Sequence, residues 1–228
     1  MRRVQCVVSG LETTIKDRRP VGARENKWVR AIAAWLGRMG ARPNHISLLG
    51  VLFAGLSGFC LILAPTAEPP WQSAWFLAAA AFIPFRGLCN LCDGLMAIEG
   101  GLKTKSGDIF NDLPDRISDS ILLVAAGYLA TWVGWGRELG WAAAMLAVLT
   151  AYVRVLGGAA GASQQYCGPM AKSHRMGVMG AACLLAALES ALGLDERAMT
   201  LGLVMIAVGS VITIARRTYR IVRELEAT

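Results

Sequence analysis

The chain has 228 residues, of which 55% are hydrophobic and only 17% charged, with mean hydropathy +0.47 and formal net charge +7. That balance excludes an ordinary water-soluble domain, where about a quarter of residues are charged. It also argues against a nucleic-acid reader, because the basic residues sit in short segments between long apolar runs, the pattern of membrane topology and lipid-headgroup contact.

In chain order, residues 1–24 read as a flexible tail. No cleavable signal peptide is evident, since the apolar stretch after Arg2 and Arg3 is too short. Residues 25–40 suit an amphipathic helix. Trp28, Ile32, Trp35 and Met39 recur at three- and four-residue spacing, while Lys27, Arg30 and Arg38 lie mostly off that stripe. A basic helix with tryptophans can lie on a membrane surface, and Pro43 separates it from the first apolar run. Six such runs occupy roughly 46–64, 72–98, 109–133, 139–160, 174–193 and 197–216. Each is near the ~20 residues that cross a bilayer as a helix. The expected fold is therefore an all-α integral membrane protein. It has six transmembrane helices preceded by a cytoplasmic surface helix, in one domain over 25–220 with a short tail at 221–228.

Charge sets the expected orientation. Ten of the 23 Lys and Arg precede Ile46. Lys103, Lys105, Lys172, Arg175 and the cluster Arg216, Arg217, Arg220 and Arg223 fall in or beside alternate connectors. The opposite connectors carry only Arg137 and Arg197 beside several acids. The positive-inside rule then places both termini, and the 99–107 connector, in the cytoplasm. The six cysteines make no disulfide framework, because most lie in the apolar runs and the others face a reducing compartment. Cys89 and Cys92 have CxxC spacing without a second pair or a nearby His, and read as helix packing rather than zinc.

Between Asn90 and Asp119 the chain reads NLCDGLMAIEGGLKTKSGDIFNDLPDRISD. At 100° per residue, Arg86, Asn90, Asp93 and Ala97 share one face of the second run's helix. Asp108, Asp112, Asp115 and Asp119 share one face of the third, with Asn111 beside them. A solvated helix start could explain Asp108 and Asp112. It does not explain Asp93, Asp115 and Asp119, which run into apolar sequence where ionisable residues are costly and usually functional. Two facing oxygen-rich stripes at the cytoplasmic end would suit a hard cation such as Mg²⁺, Mn²⁺ or Ca²⁺.

The same stretch resembles the CDP-alcohol phosphotransferase signature D-x2-D-G-x2-A-R-x8-G-x3-D-x3-D. It aligns without a gap as Asn90, Asp93-Gly94, Ala97-Ile98, Gly107, Asn111 and Asp115, so five of the eight named positions match. The departures are Asn90 and Asn111 at the first and third acids and Ile98 at the arginine. Arg42-Pro-Asn-His-Ile-Ser is similar to the segment that begins the family's first membrane helix. Ala151-Tyr-Val-Arg154, with the later Ser173-His-Arg175, is similar to a segment of members using phosphorylated or polyol acceptors.

The resemblance implies phospholipid biosynthesis. A phosphatidyl-type group would pass from a CDP-alcohol lipid donor to a small alcohol or polyol phosphate, releasing CMP with Mg²⁺ or Mn²⁺. It implies Asp115 as general base and Asp93, Asn90, Asn111, Asp115 and the nearby Asp112 as metal ligands. Gly94, Ala97 and Gly107 would line the nucleotide site, and Arg154 and Arg175 would meet the acceptor. A homodimer among membrane lipids, with no nucleic-acid partner, is also implied. The two asparagines lower the formal charge of the four motif acids from −4 to −2. Each lost charge removes on the order of 4 kcal/mol of attraction at about 4 Å, as an upper guide. The alternative is a non-catalytic relative that keeps the fold and binds nucleotide or lipid.

Overall fold

The computed structural model describes residues 26–68, 71–98, 100–101 and 106–227. The expected tail at 1–24, Lys103, Lys105 and the side chain of Asp108 lie outside the described residues. The described residues contain seven α-helices and no strand: α1 (Lys27–Arg38), α2 (Pro43–Leu63), α3 (Trp71–Ile98), α4 (Gly107–Leu129), α5 (Gly136–Ala159), α6 (Lys172–Leu192) and α7 (Ala198–Leu225).

Local chemistry sets several of these ends. The Asn26 side chain caps α1 by accepting the Trp28 N–H at 2.9 Å. Pro43 opens α2 at its first turn, where its missing N–H costs nothing. Gly193, in the left-handed region at φ 65°, closes α6. Helix α7 continues to Leu225, into the segment expected as a tail from 221. Arg223 in its last turn complements the helix dipole there.

The long helices form a closed ring of neighbours in the order α2, α3, α6, α7, α5, α4, and α1 packs on α3. Small side chains fill the interior: Ala54, Ala79, Ala126, Ala143, Ala147, Ala182 and Ala186 are all buried. Many large apolar side chains point outward, among them Leu52, Phe59, Met145, Met205 and Ile212, while others such as Phe76, Leu122 and Met179 join the interior. A soluble bundle shows the reverse, and small residues inside with bulk outside is how helices pack in lipid. A close backbone approach joins α4 to α5. A Cβ added to Gly127 would lie 2.7 Å from Gly140 Cα, so only glycine fits there.

Five helices are long and apolar enough to cross a membrane: α2 with its following turn, α3, α5, α6 and α7. The run at 109–133 forms α4 but differs from the others, because Asp112, Asp115, Arg116 and Asp119 interrupt it. With five such helices the chain is an integral membrane protein.

Candidate active site

Helices α3 and α4 bring the two polar stripes face to face. Asn90 Nδ2 on α3 donates to Asn111 Oδ1 at 3.3 Å and lies 3.4 Å from each carboxylate oxygen of Asp115 on α4. Asp93, one turn from Asn90, is 4% exposed. Ser47 of α2 donates to its Oδ2 at 2.5 Å. The other oxygen, Oδ1, is buried and has no hydrogen-bond partner among the described residues. Asn90, Asp93, Asn111 and Asp115 share one small cleft with Ser47, Arg86 and Pro114.

Behind the cleft lies a paired charge network. Asp119, 1% exposed, accepts from Arg86 at 2.6 Å through Oδ1 and from Arg175 at 2.8 Å through Oδ2. Arg175 also donates to Thr150 Oγ1 at 3.1 Å and to the Met170 carbonyl at 2.9 Å. Such a network tolerates burial because each charge meets both an opposite charge and hydrogen bonds.

Cations crowd Asp115. Lys172, the first residue of α6, forms an ion pair with its Oδ2. Arg86 reaches Oδ1 at 3.6 Å and Arg116 reaches Oδ2 at 3.8 Å. Asp112 faces elsewhere. It is bound by Arg154 through both oxygens, at 2.9 and 2.8 Å, and it does not line the cleft. Arg154 also donates to Gln164 and stacks over Tyr166, joining α5 to the 160–171 loop. That loop is seated by Gly168 at φ 117°, where a Cβ would lie 2.5 Å from Thr213 Cγ2.

The structure thus gathers Asn90, Asp93, Asn111 and Asp115, the residues expected from sequence. Gly94 and Ala97 lie half-buried further along α3, and Gly107 begins α4. Arg154 keeps partial exposure, whereas Arg175 is 1% exposed and its contacts are internal. Arg86, which the sequence marks only as a neighbour on the Asn90 face, links Asp115 to Asp119. Two further residues carry little signal in the sequence. Lys172 reads there as topology alone, although its place three residues before Arg175 puts both on one side of α6. Ser47 sits one turn into α2 and ends the segment that resembles the family's helix entry, but nothing in the sequence points it at Asp93.

Among the described residues, no group of three or more His, Cys, Asp or Glu is arranged to hold a metal ion. The cleft offers instead two carboxylates and two carboxamides, all hard oxygen donors. The unpartnered, buried Oδ1 of Asp93 fits a cation ligand, since buried polar atoms rarely go unsatisfied.

The sequence model of the CDP-alcohol phosphatidyltransferase family matches residues 41–215, which includes every cleft residue above. The chain belongs to that family. Among its relatives is the inner membrane protein YnbA of Escherichia coli K12, 28% identical over 152 residues, covering 67% of this chain and 71% of YnbA. The fold matches phosphatidylinositol phosphate synthase PgsA1 of Mycobacterium tuberculosis. The crystal structure of PgsA1 with CDP-DAG bound aligns at TM-score 0.69 and 23% identity, covering 86% of this chain and 94% of that one. The PgsA1 structure with manganese and citrate aligns at TM-score 0.68 and 23% identity, covering 85% and 88%.

Proposed function

We propose that this chain transfers a substituted phosphate group from a CDP-alcohol, such as CDP-diacylglycerol, to an alcohol, releasing CMP. The observation that carries this reading is the pairing of Asp93, with its unpartnered oxygen, and Asp115 across one cleft between α3 and α4. Family membership gives the reaction class, and PgsA1 was solved with CDP-DAG and with manganese.

The chemistry assigns a role to each residue. The acceptor hydroxyl attacks the phosphorus that carries the lipid alcohol. The bond from that phosphorus to the oxygen of CMP breaks, and the electron pair leaves with CMP. Asp115 takes the hydroxyl proton as general base. Asp93, with the carboxamide oxygens of Asn90 and Asn111, would hold Mg²⁺ or Mn²⁺. A divalent ion supplies neutralisation of the pyrophosphate charge. Gly94, Ala97 and Gly107 line the nucleotide path at the open end of α3 and α4. Arg154 is the acceptor-facing cation, and its guanidinium suits a phosphorylated polyol. Arg175 acts from behind, by holding Asp119. Helix α4 crosses the membrane as a sixth span, and α1 lies on the cytoplasmic surface with Trp28 and Trp35 exposed to headgroups. The termini and cleft then face the cytoplasm, and a homodimer in the membrane is compatible with the outward apolar faces.

The test is CMP release from CDP-diacylglycerol with Mg²⁺ or Mn²⁺ across a panel of polyols, polyol phosphates, amino alcohols and serine. CMP should appear with one acceptor class. Asp115→Asn should lower that rate at least about 100-fold, the scale of general-base catalysis, with the fold intact. The crowding of Asp115 by cations favours a second reading, a relative that binds nucleotide or lipid without turnover. CDP-lipid binding with no CMP from any acceptor would establish it.

A further inference from the structure

We propose that the Lys172 ammonium is a built-in cation that takes the place of a second divalent ion beside Asp115. The inference rests on the transferase reading of the cleft, and it adds a residue which the family signature does not name.

Three observations converge on it. The first is charge. With asparagine at 90 and 111, the four motif positions supply two carboxylates, Asp93 and Asp115. Two carboxylates with neutral amides are a poor host for two divalent ions, because each ion needs anionic ligands to offset its lost hydration. The second is the asymmetry between the acids. Among the described residues no ion pair reaches Asp93, and its Oδ1 is unpartnered. Asp115 instead has Lys172, Arg86 and Arg116 about it. A divalent ion has an anionic ligand waiting at Asp93, whereas at Asp115 it would meet three cations.

The third is how firmly Lys172 is held. On α4, Asp115 and Asp119 are four residues apart; on α6, Lys172 and Arg175 are three apart. These spacings place two rungs between the helices, Asp115 with Lys172 and Asp119 with Arg175. The Arg175 rung is wholly buried, at 1% side-chain exposure for both partners, so it fixes the register that delivers Lys172. The Lys172 side chain is itself only 14% exposed. A surface lysine anchoring the chain to headgroups would point into solvent. This one is turned inward onto Asp115, where a compact positive charge faces the carboxylate that the signature places beside a metal. Lys172 is therefore a positioning residue, acting through Asp115.

The experiment counts bound Mn²⁺ by electron paramagnetic resonance on the full chain in nanodiscs, with circular dichroism as the check on folding. In the Asn90→Asp, Asn111→Asp background, which supplies the four carboxylates that two ions need, Lys172→Met should bind one more Mn²⁺ per chain than the same background with Lys172 kept. Lys172→Arg, which keeps the charge, should bind no extra ion. Adding Asp115→Asn to Lys172→Met should remove the gain. A merely structural lysine would move stability and leave the ion count unchanged. Equal counts with and without Lys172→Met in that four-carboxylate background overturn the proposal. Should Lys172→Met fail to fold, Lys172→Gln is read against the same criterion. The count is independent of turnover. An extra Mn²⁺ without CMP release sinks the transferase reading alone, and CMP release without an extra Mn²⁺ sinks only the role given to Lys172.

Discussion

Asp119 and Asp93 lie on facing helices, both buried at 1% and 4% exposure, and they differ in what surrounds them. Asp119 spends both oxygens on arginines, 2.6 and 2.8 Å away. Asp93 has one short bond from Ser47 and an oxygen with no partner among the described residues. Sequence spacing puts both acids in the same category, as charged residues out of place in an apolar helix. The structure separates them by satisfaction. A buried charge with both oxygens paired holds helices together, and a buried charge left partly unmatched is where a ligand belongs.

The most disruptive way to break that contrast is Arg175→Met. It leaves Asp119 with one arginine in a buried setting, and the expected cost is about 3–5 kcal/mol of stability, the scale for breaking a buried pair. Thermal unfolding of the detergent-solubilised protein measures it; an unchanged midpoint would show that the network adds nothing to the fold. Asp93→Asn should do the opposite. The isosteric amide can still accept from Ser47, so the unfolding midpoint should barely move while Mn²⁺ binding and CMP release are lost. Retention of Mn²⁺ by that variant would remove Asp93 from the cation site. The smallest and sharpest change is Asn90→Asp with Asn111→Asp, which restores the acids of the signature. Mn²⁺ should bind more tightly in a titration, and an unaltered titration would show that those side chains face away from the ion.

Much of this arrangement is legible in the sequence, and the reason is periodicity. Asn90 and Asp93 lie three apart and Asn111 and Asp115 four apart, and helical geometry alone then places each pair on one face. The six apolar runs likewise announce six long helices. Less legible is which partner each charge takes. Asp112 is the nearest acid to Asn111 in sequence, yet one residue along a helix turns a side chain by about 100°, and Arg154 from α5 claims it. Arg175 has the spacing of an acceptor contact, but its burial against Asp119, Thr150 and Met170 depends on α6 packing in the ring. The number of apolar crossings is blurred for a related reason. Helix α4 reads as apolar when its charges are treated as a site at one end, although Asp119 lies 12 residues into it, counted from Gly107.

That depth bears on how the protein is made. An Asp or Arg at the centre of an inserting helix costs about 2.5–3.5 kcal/mol, so a segment bearing Asp112, Asp115, Arg116 and Asp119 does not partition by itself. Its neutralising partners arrive at different times. Arg86 is already present on α3 when α4 is synthesised, whereas Lys172 and Arg175 come only with α6. Until then Asp119 is half matched and Asp115 lacks its lysine. As the proposed sixth span, helix α4 would depend on its neighbours rather than on lipid alone to enter the bilayer. The order of translation would then become part of how the cleft is assembled.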